Sequence, residues 1–137
     1  MKDLKDKNVI VTGASGGIGN SIIKKFSENG SNILASGTRV EKLEELKTKF
    51  KNVKILPFDI SQNDKIEDFI DNATNELNGK LDCIVNNAGI TKDNLAIRMN
   101  FDEWKKVIDV NLSSTFLLSK FAIKKMLKNK SGKIINI

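Results

Sequence analysis

Two kinds of apolar pattern alternate along the 137-residue chain. Short β-branched runs, such as Asn-Val-Ile-Val-Thr at 8–12, are typical of strands that are buried on both faces. Longer segments carry apolar residues three or four positions apart, as amphipathic helices do. The pattern predicts strands at 8–12, 32–35, 53–56, 81–85 and 133–137, with a helix in each interval.

Cap and turn residues indicate where the first three helices begin and end. The first helix is expected to end at Asn29-Gly30 and the third at Asn78-Gly79, because asparagine and glycine tolerate the left-handed backbone of a helix end. The second helix is predicted over 40–50. Ser61 is predicted to cap the third helix, since a serine hydroxyl can accept a bond from the first turn.

The fourth interval predicts one long helix. Asn100 is expected to cap it, with Glu103 at the capping-box position. Apolar residues continue at helical spacing to Met126, and Ser131-Gly132 then breaks the pattern. Trp104 and the phenylalanines share this spacing, so we expect them in the core.

Strands that alternate regularly with helices predict an α/β fold. Apolar strands joined by helical crossovers favour a Rossmann-like, doubly wound parallel sheet with helices on both faces. The chain reaches its end within an apolar run at 133–137. We therefore expect a single domain, residues 1–137, that is truncated after the fifth strand and incomplete at its C-terminus.

Composition excludes several kinds of chemistry. The chain has no His, so it holds neither a Ser-His-Asp triad nor an imidazole ligand for a metal. It has no Tyr and therefore no phenolic acid. Its single cysteine, Cys83, is predicted to be a buried structural thiol. The acidic residues between Asp64 and Asp71 are predicted to form a solvated helix face, and no metal site is expected.

The net charge of +6 comes mostly from lysine, with arginine only at Arg39 and Arg98. Nucleic-acid-binding proteins usually rely on clustered arginine, so no nucleic-acid partner is expected. The basic stretch 120–133 is interpreted as a solvated surface, or alternatively as a surface for an acidic partner. The charged start at 1–7 has no signal-peptide core, and no apolar run is long enough to span a membrane. With one cysteine, these features favour the cytoplasm.

A glycine-rich turn joins the first strand to the first helix. Its glycines, Gly13, Gly17 and Gly19, let the chain turn tightly, let the backbone approach a pyrophosphate, and let the helix pack on the sheet. The helix N-terminus offers free N–H groups to the phosphates. An ordinary loop is the alternative, but the position within a βαβ unit favours dinucleotide binding.

The end of the second strand indicates which dinucleotide is bound. NAD-binding folds usually place an acid there to hold the ribose 2′-hydroxyl, whereas this chain has Ser36-Gly37-Thr38-Arg39. Thr38 and Arg39 can instead hold a 2′-phosphate through charge-assisted hydrogen bonds. We therefore predict NADP, with the alternative that Arg39 merely begins a helix.

Together these residues resemble a known family, the classical short-chain dehydrogenases/reductases. The resemblance rests on Thr12-Gly13-Ala14-Ser15-Gly16-Gly17-Ile18-Gly19, on Asn86-Asn87-Ala88-Gly89, and on Asn111. Segments 89–95, 111–114 and 133–137, with Met99 and Trp104, look more narrowly like bacterial 3-oxoacyl-[acyl-carrier-protein] reductases. Such enzymes reduce a 3-oxo thioester with NADPH in fatty-acid synthesis, and full-length members are usually homotetramers.

The resemblance implies a role for each matching residue. Asn111 is implied to be catalytic: it would bend the long helix and hold a water in a proton relay. Its position between Val110 and Leu112 suggests a buried polar residue rather than one on a helix surface. Asn86 is implied to be a structural turn residue. The implied cofactor-binding residues are Gly13, Ser15, Gly16, Gly17, Ile18, Gly19, Thr38, Arg39, Asp59, Ile60, Asn87, Ala88 and Gly89, with Asp59 accepting from the adenine amino group.

The family's other catalytic residues are a Ser that follows the fifth strand and a Tyr-x-x-x-Lys motif. In the family the Tyr donates the proton while the cofactor delivers hydride. None of these lies within residues 1–137, so we expect this chain alone to be inactive. The leading interpretation is the cofactor-binding part of an NADPH-dependent 3-oxoacyl reductase. The alternatives are a non-catalytic nucleotide-binding product and a related reductase that acts on another carbonyl or alcohol.

Overall fold

The computed structural model describes residues 4–137, so the first three positions of the charged start lie outside the described residues. Five strands alternate with helices along the chain. The strands are β1 (Asn8–Val11), β2 (Asn32–Ala35), β3 (Val53–Ile55), β4 (Cys83–Asn86) and β5 (Lys133–Asn136). The helices are α1 (Gly17–Glu28), α2 (Val40–Lys49), α3 (Ile66–Glu76), α4 (Phe101–Ile108) and α5 (Ser114–Met126).

The five strands form one parallel sheet in the order β3-β2-β1-β4-β5. Val9 in β1 lies opposite Ile33 of β2 on one side and Cys83 of β4 on the other. The strand order reverses direction at β1, so the crevice beyond the carboxyl ends of β1 and β4 is the topological switch point at which such sheets bind ligands. The predicted doubly wound α/β fold is confirmed.

Side chains on alternate positions of the strands enter two separate cores. Val9 and Val11 point to the side that α1 and α2 cover, whereas Ile10 between them points to the side of α3 and α5. All four residues of β1 and of β4 are buried. Burial on both faces explains why these strands carry continuous apolar runs, Val9–Val11 and Cys83–Val85, instead of an alternation with polar residues.

The start of the third helix and the end of the fourth strand differ from the predictions. The Ser61 side chain does not cap a helix; a 3-10 turn over Asn63–Lys65 leads into α3, and the Ser61 N–H donates to Asp59 Oδ1 at 2.9 Å. Asn86 is the last residue of β4 and not a turn residue. Its buried Nδ2 donates to Ser119 Oγ and Asn136 Oδ1, so the amide joins the strand edge to α5.

The predicted long fourth helix is interrupted by a π-helical turn over Asp109–Ser113. Its start is as predicted, because Asn100 Oδ1 accepts from the Glu103 N–H and Glu103 Oε2 accepts from the Asn100 N–H. The expectation that Trp104 lies in the core is wrong: its side chain is 55% exposed. Other apolar residues of α4, the π-helical turn and α5 are exposed as well, namely Phe101, Leu112, Phe116 and Ile123.

Across residues 4–137, every helix is too short or too polar to serve as a membrane-spanning segment.

Candidate functional site

A groove of about 510 Å³ lies at the carboxyl ends of β1, β2, β3 and β4. Every residue predicted to bind the cofactor lines it, although these residues come from four separate segments of the chain. They are Gly13, Ser15, Gly16, Gly17, Ile18, Gly19, Thr38, Arg39, Asp59, Ile60, Asn87, Ala88 and Gly89. The groove is within the usual size of small-molecule sites, roughly 300–1,000 Å³.

Two glycines of the turn after β1 are required by close approach of the backbone. Gly13 has φ +63°, and a Cβ added there would lie 2.8 Å from the backbone of Ala88. A Cβ on Gly19 would overlap the carbonyl oxygen of Gly13. The segment after β4 and the first turn of α1 therefore both pack directly against the turn, which leaves its outer side open to the groove.

Thr12 and Asn87 hold the turn and the segment after β4 together. The Thr12 hydroxyl accepts from the backbone N–H groups of Asn87 and Ala88, each at 3.1 Å. The Asn87 Nδ2 donates back to the carbonyl oxygens of Thr12 and Gly13, at 3.2 and 3.1 Å. The amide nitrogen of Asn87 is thus occupied within the protein, and its backbone lines the groove.

Arg39, just before α2, extends across the groove to the turn. Its Nη2 donates to the carbonyl oxygen of Ser15 at 2.7 Å, and its Nε donates to Ser15 Oγ at 3.3 Å. A positive guanidinium therefore lies over the turn that precedes the N-terminus of α1, where the helix dipole is also positive. The positive potential at this end of the groove favours the binding of an anion.

The end of β3 forms the other rim of the groove. Ile60 is 7% exposed and contributes to the core, whereas Asp59 is exposed. Asp59 Oδ1 accepts the Ser61 N–H, and the second carboxylate oxygen remains available to a ligand. Phe58 stacks on Phe69 with the ring centres 4.4 Å apart, which anchors this rim to α3.

Asn111 lies in the π-helical turn, next to the groove but not among the residues that line it. Its Nδ2 donates to the Ile90 carbonyl and its Oδ1 accepts from the Ile90 N–H, both at 2.8 Å. The residue is exposed, so the expectation of a buried side chain is wrong. Both ends of the amide are taken by Ile90, which itself lines the groove.

Ser114 stabilises the π-helical turn on its buried side. Its buried Oγ lies 2.7 Å from the Ile60 carbonyl oxygen and 2.8 Å from that of Asp109. The first contact ties the turn to the residue after Asp59 on the opposite rim. The bend that presents Asn111 to Ile90 is therefore linked to the rim formed by β3.

Sequence reasoning missed several residues that line the groove. They are Thr12, Ser36, Gly37, Phe58, Ser61, Ile90, Lys106 and Val110. Most of them adjoin predicted residues at strand ends, so the rule that ligands bind beyond the carboxyl ends of strands would have found them. Lys106 and Val110 come from α4 and the π-helical turn, and no local sequence signal marks them.

Cys83 is 8% exposed in β4, as predicted for a structural thiol. Burial, together with the nearby Asp82 carboxylate, raises the pKa of the thiol from 9.0 to about 11. Such a thiol stays protonated at neutral pH and is a poor nucleophile. Within residues 4–137, no three His, Cys, Asp or Glu side chains are grouped so that they could hold a metal ion.

Comparison with known proteins places the chain in a family. The short chain dehydrogenase model matches residues 7–137. The chain is 44% identical to the 3-oxoacyl-[acyl-carrier-protein] reductase FabG of Rickettsia conorii, over the whole chain and 55% of the relative. It is 41% identical to Nodulation protein G of Rhizobium sp. strain N33, over the whole chain and 56% of that protein. The reductase FabG of Chlamydia pneumoniae is also 41% identical, over 98% of the chain and 55% of the relative.

The chain therefore spans about half the length of the curated relatives that it matches. The family match extends over both the glycine-rich turn and the π-helical turn, and it agrees with the resemblance drawn from the motifs. Two of the three relatives are named as reductases, which are oxidoreductases, and the third is named Nodulation protein G. The chain belongs to the short-chain dehydrogenase family of oxidoreductases.

Proposed function

We propose that this chain is the NADP-binding part of an NADPH-dependent reductase that converts 3-oxoacyl thioesters on acyl carrier protein to 3-hydroxyacyl thioesters. The observation that carries the proposal is the groove at the carboxyl ends of the strands, with the Arg39 guanidinium bonded across it to Ser15. Bound NADPH would supply the hydride. The residues of this chain would hold the dinucleotide, orient it and neutralise its charge.

The groove fits a dinucleotide in shape and in polarity. The turn after β1 has no room for a Cβ at Gly13 or Gly19, so its backbone can lie close to a pyrophosphate. The first turn of α1 offers N–H groups that no helical carbonyl can satisfy. Ser36, which also lines the groove, has a buried Oγ without a hydrogen-bond partner in the protein. A bound ligand or water would satisfy it.

The charges around the groove favour NADP over NAD. Among the described residues that line it, Asp59 is the only acid, and it lies at the end of β3 rather than β2. The end of β2 offers Thr38 and Arg39 to the 2′ position of the ribose. A 2′-phosphate would gain charge-assisted hydrogen bonds from Arg39. No carboxylate at the end of β2 is available to hold the ribose 2′-hydroxyl of NAD.

Asn111 contributes to this function through the position of Ile90. Its amide bonds to both the N–H and the C=O of Ile90, immediately after Gly89. The segment from Asn87 to Ile90 thereby follows a defined path along the groove, beside which the nicotinamide half of the cofactor would lie. We propose that this positioning, together with the water relay implied for the family, is the catalytic role of Asn111.

The acyl carrier protein would dock on basic residues of α5 and of the segment that follows it. Two lysines of the basic stretch are already paired, because Lys124 bonds to Glu67 at 2.6 Å and Lys125 bonds to Asp71 at 2.7 Å. Within residues 4–137, the lysines of this stretch that make no salt bridge are Lys120, Lys128, Lys130 and Lys133. Their positive charge would attract an acidic carrier. No nucleic-acid or membrane partner is proposed.

We also propose that the protein that contains this chain works in the cytoplasm as a homotetramer. Exposed apolar residues recur along the π-helical turn, α5 and the residue after it, at Leu112, Phe116, Ile123 and Leu127, each 46–68% exposed. Large apolar side chains exposed repeatedly along one stretch of helix are typical of a protein–protein interface. Measurement of molar mass by light scattering tests this assignment, and a monomer over the working concentration range would contradict it.

Nucleotide titration tests the cofactor assignment. NADPH and NADH are titrated separately into the purified chain, and binding is followed by nucleotide fluorescence and by calorimetry. We expect NADPH to bind at least tenfold more tightly, as one additional charge-assisted contact predicts. Equal affinities, or no binding by a chain that is folded by circular dichroism, would contradict the proposal.

The substrate needs a separate test, because the relatives include both 3-oxoacyl reductases and Nodulation protein G. NADPH oxidation is measured with an acetoacetyl thioester, and then with simple ketones at matched concentrations. For this chain alone we expect no turnover, since it contains no Tyr. Turnover by the chain alone would contradict the assigned role. If the same chain, joined to the catalytic half of a relative, preferred a simple ketone, the proposed substrate would be wrong.

A further inference from the structure

The Ser114 hydroxyl joins two parts of the molecule that are far apart along the chain. Its Oγ lies 2.7 Å from the carbonyl oxygen of Ile60, 2.8 Å from that of Asp109 and 3.0 Å from Asn63 Oδ1. Ile60 and Asn63 follow β3 and lie 54 and 51 positions before Ser114, whereas Asp109 begins the π-helical turn. The Ser114 side chain is fully buried, so water does not compete for these contacts.

The hydroxyl proton of Ser114 is best placed on the Ile60 carbonyl. A hydroxyl has one proton, so it donates fully to only one of its neighbouring acceptors. The Asp109 carbonyl already accepts the backbone N–H of Ser114, which closes the π-helical turn. Within residues 4–137, the Ser114 hydroxyl is the one donor that reaches the Ile60 carbonyl. A buried carbonyl without a donor is costly, so this bond ties the turn to the rim formed by β3.

This bond connects two sides of the groove. Ile60 lines the groove at the end of β3, and Val110 lines it from the π-helical turn. Ser114 is not among the lining residues, so it acts on a ligand only through the groups that it holds. In the same turn, Asn111 bonds to the N–H and to the carbonyl of Ile90. The turn therefore lies between the rim and the Ile90 backbone, and it contacts both.

We infer that Ser114 is a positioning residue that couples the adenosine end of the groove to Asn111 and, through it, to the Ile90 backbone. This inference rests on the proposed nucleotide-binding function and deepens it. The Ile60 carbonyl keeps its position while Ser114 donates to it, so a nucleotide that rests on this rim binds better when the turn is bonded there. Occupation of the adenosine end then restricts the opening of the turn that holds Ile90.

Amide hydrogen exchange of the free chain, followed by NMR, tests the role of Ser114 in positioning. The probe is the Ile90 N–H, which donates to Asn111 Oδ1 at 2.8 Å. The matched probe is the Glu103 N–H, which donates to Asn100 Oδ1 at 2.9 Å and is likewise exposed. We expect Ser114→Ala to accelerate exchange of the Ile90 N–H about tenfold and that of the Glu103 N–H less than twofold.

A merely structural role of Ser114 would give a different result. The Thr12 N–H donates to the Val85 carbonyl and exchanges only when the strands separate. A substitution that only destabilises the whole fold would accelerate exchange at Thr12 and leave Ile90 unchanged, because Ile90 exchanges through a smaller opening. Unchanged exchange at Ile90 in a folded Ser114→Ala variant would therefore overturn the inference.

Adenosine 2′,5′-bisphosphate, which fills only the adenosine end of the groove, tests the coupling. At ten times its dissociation constant, measured by calorimetry for each variant, it should slow exchange of the Ile90 N–H in the wild type by about three- to tenfold. In Ser114→Ala the turn opens without disturbing the rim, so the slowing should fall below twofold. Equal slowing in both proteins would mean that the ligand itself bridges to Val110, and the inference would be wrong.

The wild type separates this inference from the proposed function. If it binds the bisphosphate but exchange of the Ile90 N–H does not change, the proposed function stands and the inference fails. If it does not bind the bisphosphate, the proposed function fails, and the coupling fails with it.

Two further variants complete the experiment. Ser113→Ala is the matched control, because Ser113 belongs to the same turn and its side chain makes no cap hydrogen bond to α5. It should leave exchange at Ile90, and its response to the bisphosphate, unchanged. Ser114→Cys nearly keeps the shape of the side chain but has a weaker donor, so it should give an intermediate acceleration. Exchange as slow as in the wild type would show that the hydroxyl does not hold the turn.

Discussion

The two walls of the groove are held in place by different means. The first, here called the loop wall, consists of residues 12–19 and 87–89, and backbone packing at Gly13 and Gly19 defines it. The second, the helix wall, consists of Ile90, Lys106 and Val110, with Asn111 and Ser114 behind it. Side-chain bonds from Asn111 to Ile90, and from Ser114 to the opposite rim, define that one.

The two walls therefore respond differently to substitution. In the loop wall an added methyl group would overlap backbone atoms, which have little freedom to move. In the helix wall the two bonds between Asn111 and Ile90 lie at the protein surface, where water replaces part of what is lost. We expect substitutions in the loop wall to lower the free energy of unfolding more than substitutions in the helix wall do. In the helix wall, the loss should increase with the number of hydrogen bonds that a substitution removes.

The largest effect is expected for Gly13→Ala. The variant would place a side chain at φ +63° and a Cβ 2.8 Å from Ala88, so we expect the free energy of unfolding to fall by about 3 kcal/mol. Urea unfolding followed by circular dichroism measures it. Gly17→Ala is the control: no atom lies within 4 Å of its added Cβ, and alanine favours the helix. Equal losses at both positions would remove the distinction between packed and open glycines.

The next effect tests the helix wall. Asn111→Ala removes both hydrogen bonds to Ile90, and we expect the free energy of unfolding to fall by about 1.5 kcal/mol. The fall is modest because each of these bonds is accessible to water and contributes less than a buried one. Asn111→Asp still accepts from the Ile90 N–H but no longer donates to its carbonyl. Its loss should lie between those of the wild type and the alanine variant. If aspartate and alanine destabilise equally, the N–H bond to Oδ1 is not a support of this wall.

A smaller effect is expected at the start of α4, the helix that carries Lys106. Asn100→Ala removes the cap of the Glu103 N–H and should cost about 1 kcal/mol. Asn100→Asp keeps an acceptor at the same place and adds a negative charge where the helix dipole favours it. It should retain most of the stability of the wild type in thermal unfolding. An alanine variant as stable as the wild type would show that this helix is held by its packing alone.

The last effect appears only at high pH and concerns β4, from which segments of both walls follow. Burial raises the pKa of Cys83 to about 11, above its ordinary 9.0. The unfolded chain therefore loses the thiol proton first, and the stability contributed by the protonated thiol is present below pH 9 and declines as the pH rises towards 11. The difference in unfolding free energy between the wild type and Cys83→Ala should shrink across this window. A constant difference would mean that Cys83 is accessible to water.

The loop wall could be predicted closely from the sequence because its causes are local. The glycines of the turn lie within seven positions of one another, and the β-branched run before them identifies the strand. Arg39 was recognised by its place after β2. The capping box at Asn100 and Glu103 depends on two residues three positions apart, and it formed as predicted.

The helix wall could not be predicted to the same extent. A π-helical turn differs from a regular helix by one residue per turn, and the apolar spacing around Asn111 is compatible with both. The apolar pattern also did not predict that Trp104 is exposed. An apolar helix face has the same 3.6-residue period whether it is buried or exposed. Ser61 has the residue type of a cap, yet the Asp59 carboxylate bonds to its N–H and the helix begins later.

The salt bridges of the basic stretch 120–133 could not be predicted from the sequence either. The sequence shows a run of lysines near the end of α5, and only the packing of α5 on α3 reveals that Glu67 and Asp71 neutralise Lys124 and Lys125. These partners lie more than 50 positions away along the chain. A charge pattern read along one helix does not include the charges of the helix beside it.

The sequence by itself determined the order of strands and helices, the glycine-rich turn, the absence of an acid after β2 and the family. These depend on backbone conformation and on apolar periodicity, which act over a few residues. The tertiary structure alone decided that Arg39 bonds to Ser15, that Ser114 bonds to the carbonyl of Ile60, and that Asn111 holds Ile90. These contacts join residues of different elements at the sheet edge. Interactions within a few residues along the chain do not determine which distant residues come together there.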